Sequence, residues 1–220
     1  MHSIFRPELL AHPSPITTIL RAAGTSLYAM AKTRIIVGLS GASGIIYGIR
    51  LLEAARELGV ETDLIMTETA AEMIEIETSL SPEQVAATAT RVHQSNDFTS
   101  SLASGSFSHQ GMVVIPASMK TVAGIACGFA DNLLLRAADV ALKEHRPLVV
   151  VPRETPLSMI HLRNMLTLAQ AGAVILPASP GFYHQPVDIQ GLVDHVVGKV
   201  LDVLSIEHHL YRKWREEDGK

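Results

Sequence analysis

Small residues crowd one short stretch of the chain, GLSGASGIIYG at residues 38 to 48, where Gly38, Gly41 and Gly44 recur at every third position. Glycine allows backbone angles that other residues avoid, and its missing side chain lets a ligand approach the main chain. If a helix follows, its first N–H groups and positive dipole end face the same place, which suits an anion. The spacing is neither G-x-G-x-x-G nor a P-loop ending in G-K-[ST], so the stretch alone predicts either a ligand loop or a simple tight turn.

Hydroxyl side chains follow other hydrophobic runs of the sequence. Thr67 comes after VETDLIM, and Ser118 and Thr121 come after GMVVIPA. Hydroxyl groups in such places suit a phosphate, a ribityl chain or the edge of a flavin. Glu68 lies about where a dinucleotide site keeps its ribose-binding acid, so NAD(P) stays an open alternative.

A set of charged and aromatic residues lies in or near the same segments: Lys143, Arg153, Glu154, Tyr183 and Lys199. Each also has an ordinary structural explanation. Arg153 and Glu154 could form a salt bridge, and Lys143 could be a cation at a helix C-terminus. Lys199 could be a surface charge, and Tyr183 a packing aromatic.

Composition and motifs exclude several other classes of protein. The net charge of −4, with scattered Lys and Arg and 5% aromatic residues, offers neither a basic stripe nor stacking platforms for nucleic acid. No stretch approaches the roughly 20 apolar residues that span a bilayer. No H-E-x-x-H or G-x-S-x-G motif occurs, so neither a metal site nor a serine hydrolase is predicted. The single cysteine, Cys127, leaves no internal disulfide and fits a reducing compartment.

Strand-like and helix-like segments alternate from Arg34 onward, within one domain predicted over residues 33–220. Strands are predicted at RIIVGL and VETDLIMT and over 111–118, 147–154 and 173–180. Helices are predicted over 45–58, at AAEMIEIET and SPEQVAATA, and over 132–145, 158–172 and 188–204. This alternation predicts an α/β fold with a parallel sheet between helices and a ligand crevice beyond the carboxyl ends of the strands. All five strand ends are expected to converge on that crevice.

Residues 1–32 differ from the rest and are predicted to be an N-terminal extension outside the core. They carry three prolines, several hydroxyl side chains, one acid and three bases. That balance faintly resembles an organelle transit peptide, which would make the protein mitochondrial. An extension upstream of Met30 is the favoured explanation, and it predicts a cytoplasmic protein.

Five stretches, in this order, are together highly specific: GLSGASGIIYGIRLL, ASGSF, GMVVIPASMKT, RAADVALKEHRPLVVVPRETP and LPASPGFYHQP. In combination they resemble the UbiX-type flavin prenyltransferases, from about Arg34 to Trp214. The resemblance implies a flavodoxin-like, Rossmann-type fold that transfers a dimethylallyl group from dimethylallyl phosphate to reduced FMN. The prenylated FMN would serve a UbiD-type decarboxylase. The family's dodecamer, with sites between subunits, agrees with a composition of 47% hydrophobic and 18% charged residues.

The resemblance also implies roles for the residues that match the family's motifs. The implied FMN contacts are Gly41, Ala42, Ser43, Thr67, Ser118, Met119, Lys120, Thr121 and Arg153. The implied pocket for the prenyl phosphate contains Tyr183, Lys199, Lys143, Phe98 and Ser104, and the implied catalytic residues are Glu154, Lys143 and Ser43. Cations would stabilise the departing phosphate, the Tyr183 ring the allylic cation, and Glu154 would shuttle a proton.

Two residues depart from the family pattern, and other functions stay open. Phe98 stands where some relatives have tryptophan, and Lys199 stands where relatives often have arginine. A flavin-dependent decarboxylase acting directly on an aromatic or cysteine-derived acid is one alternative, although its P-x-M-N-x-x-M-W-type segment is replaced here by PASPGFYHQP. A non-catalytic flavin carrier is another, but it would not need Lys143, Glu154 and Tyr183 together. No metal is expected to take part.

Overall fold

Hydrophobic, β-branched runs of the chain pair into a six-stranded sheet in the computed structural model, which describes residues 33–214. The strands are β1 (Arg34–Leu39), β2 (Glu61–Met66), β3 (Arg91–Gln94), β4 (Gly111–Ala117), β5 (Leu148–Pro152) and β6 (Val174–Ile175). All pairings are parallel, and β1, β4 and β5 are buried almost throughout, as in a sheet covered on both faces. The predicted extension, residues 1–32, lies outside the described residues.

The strand order β3-β2-β1-β4-β5-β6 determines where a ligand site can form. From β1 the chain adds β2 and β3 on one side, and then returns to add β4, β5 and β6 on the other. A crevice therefore opens between the carboxyl ends of β1 and β4, which is the place where doubly wound proteins bind ligands. The order is that of the Rossmann fold, and without the edge strand β3 it is that of flavodoxin. The predicted fold class is confirmed.

Seven α-helices of the described region connect the strands. They are α1 (Ile45–Glu57), α2 (Glu68–Glu77), α3 (Pro82–Ala86), α4 (Met119–Ala126), α5 (Leu133–Lys143), α6 (Met159–Gln170) and α7 (Ile189–Val203). Two helix ends carry typical signals: Ser81 caps α3 by accepting from the Gln84 N–H, and Gly59 follows α1 with a φ of 70°.

Two hydrophobic cores lie on opposite faces of the sheet. One contains the inward residues of α1 and α7, and the other those of α4, α5 and α6. The apolar stripe of α1 is buried at Ile45, Ile49, Leu52 and Ala55, whereas Leu58 lies beyond the helix and is 40% exposed. The result is the predicted three-layer arrangement, with the carboxyl ends of the strands left free to carry a site.

The structure differs from the predicted elements at both edges of the sheet. β3 was not predicted, because RVHQ is short and polar and its residues alternate between half-buried and exposed. The predicted strand over 173–180 is wrong in length, since β6 has two residues and is partly exposed. Pro177 and Pro180 have no N–H to donate to a ladder, and the chain leaves the sheet there.

Candidate functional site

A polar cleft of about 310 Å³ lies at the carboxyl ends of β1, β2 and β4. It is lined mainly by hydroxyl and amide groups, with one cation and one carboxylate: Ser40, Gly41, Thr67, Glu68, Thr69, Ser95, Ser118, Lys120, Thr121, Asn132 and Leu135. Five of the predicted FMN contacts are therefore brought together, namely Gly41, Thr67, Ser118, Lys120 and Thr121. The cleft therefore lies at the switch point of the sheet, which is the place between β1 and β4 where the strand order reverses.

Ser40 joins the two halves of the sheet beneath this cleft. The side chain is 1% exposed, and its Oγ donates to the Pro116 carbonyl oxygen at 2.9 Å and accepts from the Ser118 N–H at 2.8 Å. The end of β1 is thus tied to the end of β4 and to the start of α4. Sequence reasoning missed Ser40, although its position before Gly41 was a usable signal.

Three helices direct their N-terminal ends at the cleft, and the residue that caps each helix lines it. Thr67 caps α2, Ser118 caps α4 and Asn132 caps α5, each accepting from an N–H of the first turn. The positive ends of three helix dipoles, together with Lys120, make the cleft attractive to negatively charged groups. Asn132 was not predicted, since an N-cap asparagine is common and points to no ligand by itself.

A glycine is required at the mouth of the cleft. A Cβ placed on Gly41 would lie 2.3 Å from Cγ2 and 2.5 Å from Cβ of Thr69, which is closer than carbon atoms can approach. The next residue, Ala42, is buried, and its N–H donates to the Ser40 carbonyl oxygen at 2.8 Å. Met119 packs against the core instead of lining the cleft. Ala42 and Met119 are therefore not among the residues that line the cleft, and their predicted contacts with FMN stay predictions.

The N-terminus of α1 is occupied by a carboxylate of the same chain. Glu77 accepts hydrogen bonds from the Gly44 N–H at 2.8 Å and the Ile45 N–H at 3.0 Å. Partial burial opposes ionisation, but these bonds, a bond from Ser43 and the charge of Arg153 hold the pKa of Glu77 below its ordinary value. The expectation that the first N–H groups of α1 face a ligand is therefore wrong for this structure.

Glu77 was missed because nothing in the sequence connects it with the glycine loop, from which it is separated by 33 residues. The Arg153 side chain lies at the same loop and donates from Nε to the Ser43 carbonyl oxygen at 2.9 Å. Ser43, Glu77 and Arg153 thus form a charged cluster beside the cleft. Glu154 follows in the chain, is exposed, and accepts from the Thr155 N–H at 3.0 Å.

Tyr183 and Lys199, the predicted phosphate ligands, lie around α7 and not among the residues that line the cleft. The Tyr183 ring packs edge-on against His195 of α7, with centroids 5.6 Å apart. Lys199 lies one turn further along α7 and pairs with Asp202 at 3.3 Å. The expectation that the fifth strand end joins the same crevice therefore stays a prediction.

Lys143 and Ser104 lie together at the other end of α5. A Cβ on Gly105, the neighbour of Ser104, would lie 3.0 Å from Lys143 Nζ, and Lys143 pairs with Glu144. Because α5 begins at the cleft and rises about 1.5 Å per residue, Lys143 is roughly 15 Å from it along the helix. Phe98 is 48% exposed on the segment that follows β3. One chain therefore does not bring Lys143 to the cleft.

Two searches of the described residues, 33–214, bear on the class of site. No three His, Cys, Asp or Glu side chains of this region lie close enough to share a metal ion. None of its helices is long and apolar enough to cross a bilayer.

Comparison with known proteins identifies the family. The Flavoprotein family profile matches residues 24–213. Flavin prenyltransferase UbiX of Methanothermobacter thermautotrophicus is 50% identical over 184 residues, which cover 84% of this chain and 96% of the relative. The crystal structure of AnUbiX with FMN and dimethylallyl pyrophosphate has a TM-score of 0.82 at 48% identity, covering 84% of this chain and 98% of that chain.

A second solved structure is similar over the same region. The dodecameric FMN-dependent UbiX-like decarboxylase from Escherichia coli has a TM-score of 0.81 at 49% identity, covering 83% of this chain and 100% of that chain. Sequence identity of about one half over nearly the whole length of each protein is far above what a shared fold alone produces. The chain therefore belongs to the Flavoprotein family and, within it, to the UbiX-type flavin prenyltransferases.

Proposed function

We propose that the protein transfers a dimethylallyl group from dimethylallyl phosphate to reduced FMN. The observation that carries the proposal is the similarity, over more than four fifths of the chain, to an enzyme whose crystal structure contains both FMN and dimethylallyl pyrophosphate. The hydroxyl-lined cleft at the β1–β4 switch point fits one of these ligands, because a flavin mononucleotide has a polyhydroxyl chain and a phosphate. FMN acts here as a substrate that leaves prenylated.

The cleft residues fit the polar part of FMN. Ser118, Thr121 and Thr67 present hydroxyl groups at helix N-termini, and Lys120 adds a positive charge. Gly41 lets the flavin approach the main chain, since no side chain fits at that position. The Arg153 guanidinium, which donates to the Ser43 carbonyl oxygen, is a second positive charge beside the cleft. These contacts would orient FMN so that the face of its ring is open to the prenyl donor.

The donor's phosphate is proposed to bind Tyr183, Lys199 and Lys143. The C–O bond of dimethylallyl phosphate breaks and the electron pair leaves with the phosphate, while a new C–N bond forms to N5 of reduced FMN. Cations fixed at the phosphate stabilise the charge that develops there, which lowers the barrier. N5 releases its proton when the C–N bond forms. Ring closure then forms a C–C bond between the flavin ring and the prenyl chain: one carbon of the prenyl double bond takes up a proton, the other bonds to the flavin ring, and the ring carbon loses its proton, with Glu154 as the proposed proton shuttle. Ser43 would help to position Glu77 and the flavin.

A complete site is proposed to require several copies of the chain. Within one chain the cleft, the Tyr183–Lys199 pair and Lys143 lie apart, so another copy must supply at least Lys143. Large apolar side chains of α6 and of the segment before α7 are exposed and could be covered by such copies: Met159, Ile160, Leu166, Phe182, Val187 and Ile189. We propose a dodecamer, the assembly of the similar Escherichia coli protein.

A decarboxylase that acts directly on an acid is the second candidate, because the similar Escherichia coli structure is described as an FMN-dependent decarboxylase. The two functions differ in their products. A prenyltransferase consumes dimethylallyl phosphate and releases phosphate, whereas a decarboxylase releases CO2 from an acid without a prenyl donor. Under the first function, the prenylated flavin would be passed to a decarboxylase of the UbiD type.

The test is anaerobic incubation of the purified protein with FMN, a reductant and dimethylallyl phosphate, followed by mass spectrometry of the extracted flavin. We expect a flavin heavier by one isoprenyl unit, formed at least about a hundredfold more slowly by Glu154→Gln because a general acid–base is lost. Glu72→Gln on α2, an exposed residue outside the site, is the matched control and should behave as wild type. Unmodified FMN despite tight binding would refute the transferase. Equal rates for Glu154→Gln and wild type would keep the transferase and refute the role of Glu154.

A further inference from the structure

A histidine is buried on α7 at the centre of an aromatic cluster. His195 is 8% exposed, its ring stacks on that of His184 with centroids 5.0 Å apart and planes 9° apart, and it meets the Tyr183 ring edge-on. Tyr211 completes the cluster at 4.8 Å. The other buried positions of α7 are four valines, one leucine and one glycine, so a polar ring at this position needs an explanation.

The hydrogen bonds of the two histidines determine their tautomers. The Gly181 N–H donates to His195 Nδ1 at 3.3 Å, so the proton of the neutral His195 ring is on Nε2. His184 Nε2 lies 3.2 Å from the Gly191 carbonyl oxygen, an acceptor, so this nitrogen carries the proton of His184. His195 Nε2 and His184 Nδ1 are buried and have no hydrogen-bond partner among the described residues.

A phenyl ring would fill the same space at position 195 without leaving a buried N–H unpaired. Histidine at this position therefore costs folding free energy, because one buried N–H stays unpaired. The compensating contribution is the hydrogen bond that His195 Nδ1 accepts from the Gly181 N–H. This bond matters because the chain between β6 and α7 has no regular secondary structure to hold it. The Gly181 and His184 bonds tie the chain to α7 on the two sides of Tyr183.

We propose that His195 is a positioning residue that holds Tyr183 in the orientation needed to bind the phosphate of the prenyl donor. The inference rests on the proposed function, in which Tyr183 and Lys199 bind that phosphate. His195 accepts the Gly181 N–H through Nδ1, stacks on the His184 ring and contacts the Tyr183 ring in an edge-on arrangement. His195 lies one helical turn before Lys199 on α7. Holding Tyr183 against His195 therefore also fixes the position of Tyr183 relative to Lys199.

The charge state of His195 agrees with this role. Burial, followed by electrostatic repulsion from the neighbouring His184 imidazole and from the Lys199 ammonium, holds the pKa of His195 below its ordinary value, against an opposing effect of Asp202. The ring is therefore neutral at neutral pH, and Nδ1 keeps the lone pair that accepts the Gly181 N–H.

The first test compares His195→Phe with His195→Asn. Phenylalanine keeps a ring and loses the acceptor, whereas the side-chain oxygen of asparagine can take the place of Nδ1. We expect KM for dimethylallyl phosphate to rise about 10- to 100-fold in His195→Phe, the range expected for a misplaced contact, and to recover at least in part in His195→Asn. The Kd of FMN should stay within about twofold, because the FMN cleft is formed by other elements. An unchanged donor KM in His195→Phe would overturn the proposal.

The second test needs no turnover and remains valid if the transferase assignment fails. Trp214, the single tryptophan of the chain, packs edge-on against Tyr183 with centroids 5.3 Å apart. Trp214 is 65% exposed, so we use the near-UV circular dichroism of its indole in the FMN-free protein, which depends on the fixed neighbouring ring, to report whether Tyr183 is in place; Tyr183→Ala defines the full change. We expect His195→Phe to approach that change and His161→Asn, on the opposite face of the sheet, to match wild type. A raised donor KM with an unaltered near-UV spectrum of Trp214 would mean that His195 contacts the donor directly, which would overturn a positioning role.

Discussion

Replacing Ser40 tests whether the cleft depends on the link between the two halves of the sheet. Ser40→Ala removes the hydroxyl that accepts from the Ser118 N–H at 2.8 Å and donates to the Pro116 carbonyl oxygen at 2.9 Å. The Pro116 oxygen keeps a long bond from the Ser40 N–H at 3.4 Å, whereas the Ser118 N–H loses the acceptor described for it. The mutation should therefore destabilise the end of β4 and the start of α4 together.

The expected loss can be estimated from these two bonds. Leaving a buried polar group unpaired costs about 1–3 kcal/mol. The low end of this range applies to both groups, because the Pro116 carbonyl oxygen keeps one donor and the Ser118 residue is only half-buried. We therefore expect the free energy of unfolding to fall by about 2 kcal/mol. In a protein of this size such a loss lowers Tm by roughly 4–8 °C.

The measurement is urea and thermal unfolding of the FMN-free protein at one fixed protein concentration, because assembly makes stability concentration-dependent. Ser101→Ala is the matched control, since Ser101 is exposed. FMN should also bind more weakly to Ser40→Ala, because Ser118 and Thr121 line the cleft from the destabilised turn. A loss below about 0.5 kcal/mol, equal to that of the control, would show that the link between β1 and β4 does not contribute as argued.

Two further changes test the packing and charge around the glycine loop. Glu77→Gln should lower the free energy of unfolding by about 1 kcal/mol at pH 7, since it removes a negative charge from a helix N-terminus. Because the pKa of Glu77 is lowered in the folded state, this contribution is present above about pH 4.3 and disappears as the pH falls through the pKa of the folded protein. The free energies of unfolding of the two proteins should therefore converge in acid. A difference that stays constant with pH would contradict the role of the Glu77 charge. Gly48→Ala should destabilise by about 2 kcal/mol or more in urea unfolding, because its Cβ would lie 2.5 Å from the Ile115 carbonyl oxygen and force α1 off the sheet. Gly124→Ala should cost less, because its Cβ would lie 3.0 Å from a side-chain end of Leu135 and at an ordinary contact distance of 3.5 Å from the Phe129 carbonyl oxygen; equal losses would refute the steric argument.

The sequence predicts the central elements well because their signals are local. RIIVGL and PLVVVP are continuous apolar runs, and the helix over residues 45–58 shows its period in four buried residues. β3 could not be predicted in this way. Its Arg91 and His93 are polar and become strand residues only by pairing with the buried Asp63 of β2, at 3.0 and 2.8 Å.

The candidate site could be predicted only where its residues directly follow strands. Thr67 and Ser118 were found for that reason. Glu77 reaches the glycine loop from the end of α2, a distant contact that leaves no pattern in the sequence. Lys143 could be assigned a role from the family's motif, but the motif does not show whether a residue and the cleft that it serves belong to the same copy of the chain. His195 reads as one polar residue in an apolar helix, and only its bond to Gly181 gives it a role.

The carboxylate at the start of α1 affects which anions can compete for the protein. An open helix N-terminus binds any small anion, including free phosphate, which the proposed reaction releases. Here such an anion would have to displace Glu77, which is tethered in place and so competes at an effective concentration on the order of millimolar or above. The N-terminus of α1 is therefore a poor binding site for free phosphate. The specificity of the cleft must come from its hydroxyl groups, which can contact a larger ligand such as FMN. Millimolar phosphate should consequently not displace Glu77 from the start of α1, and product inhibition should arise where the donor's phosphate is proposed to bind, at Tyr183, Lys199 and Lys143.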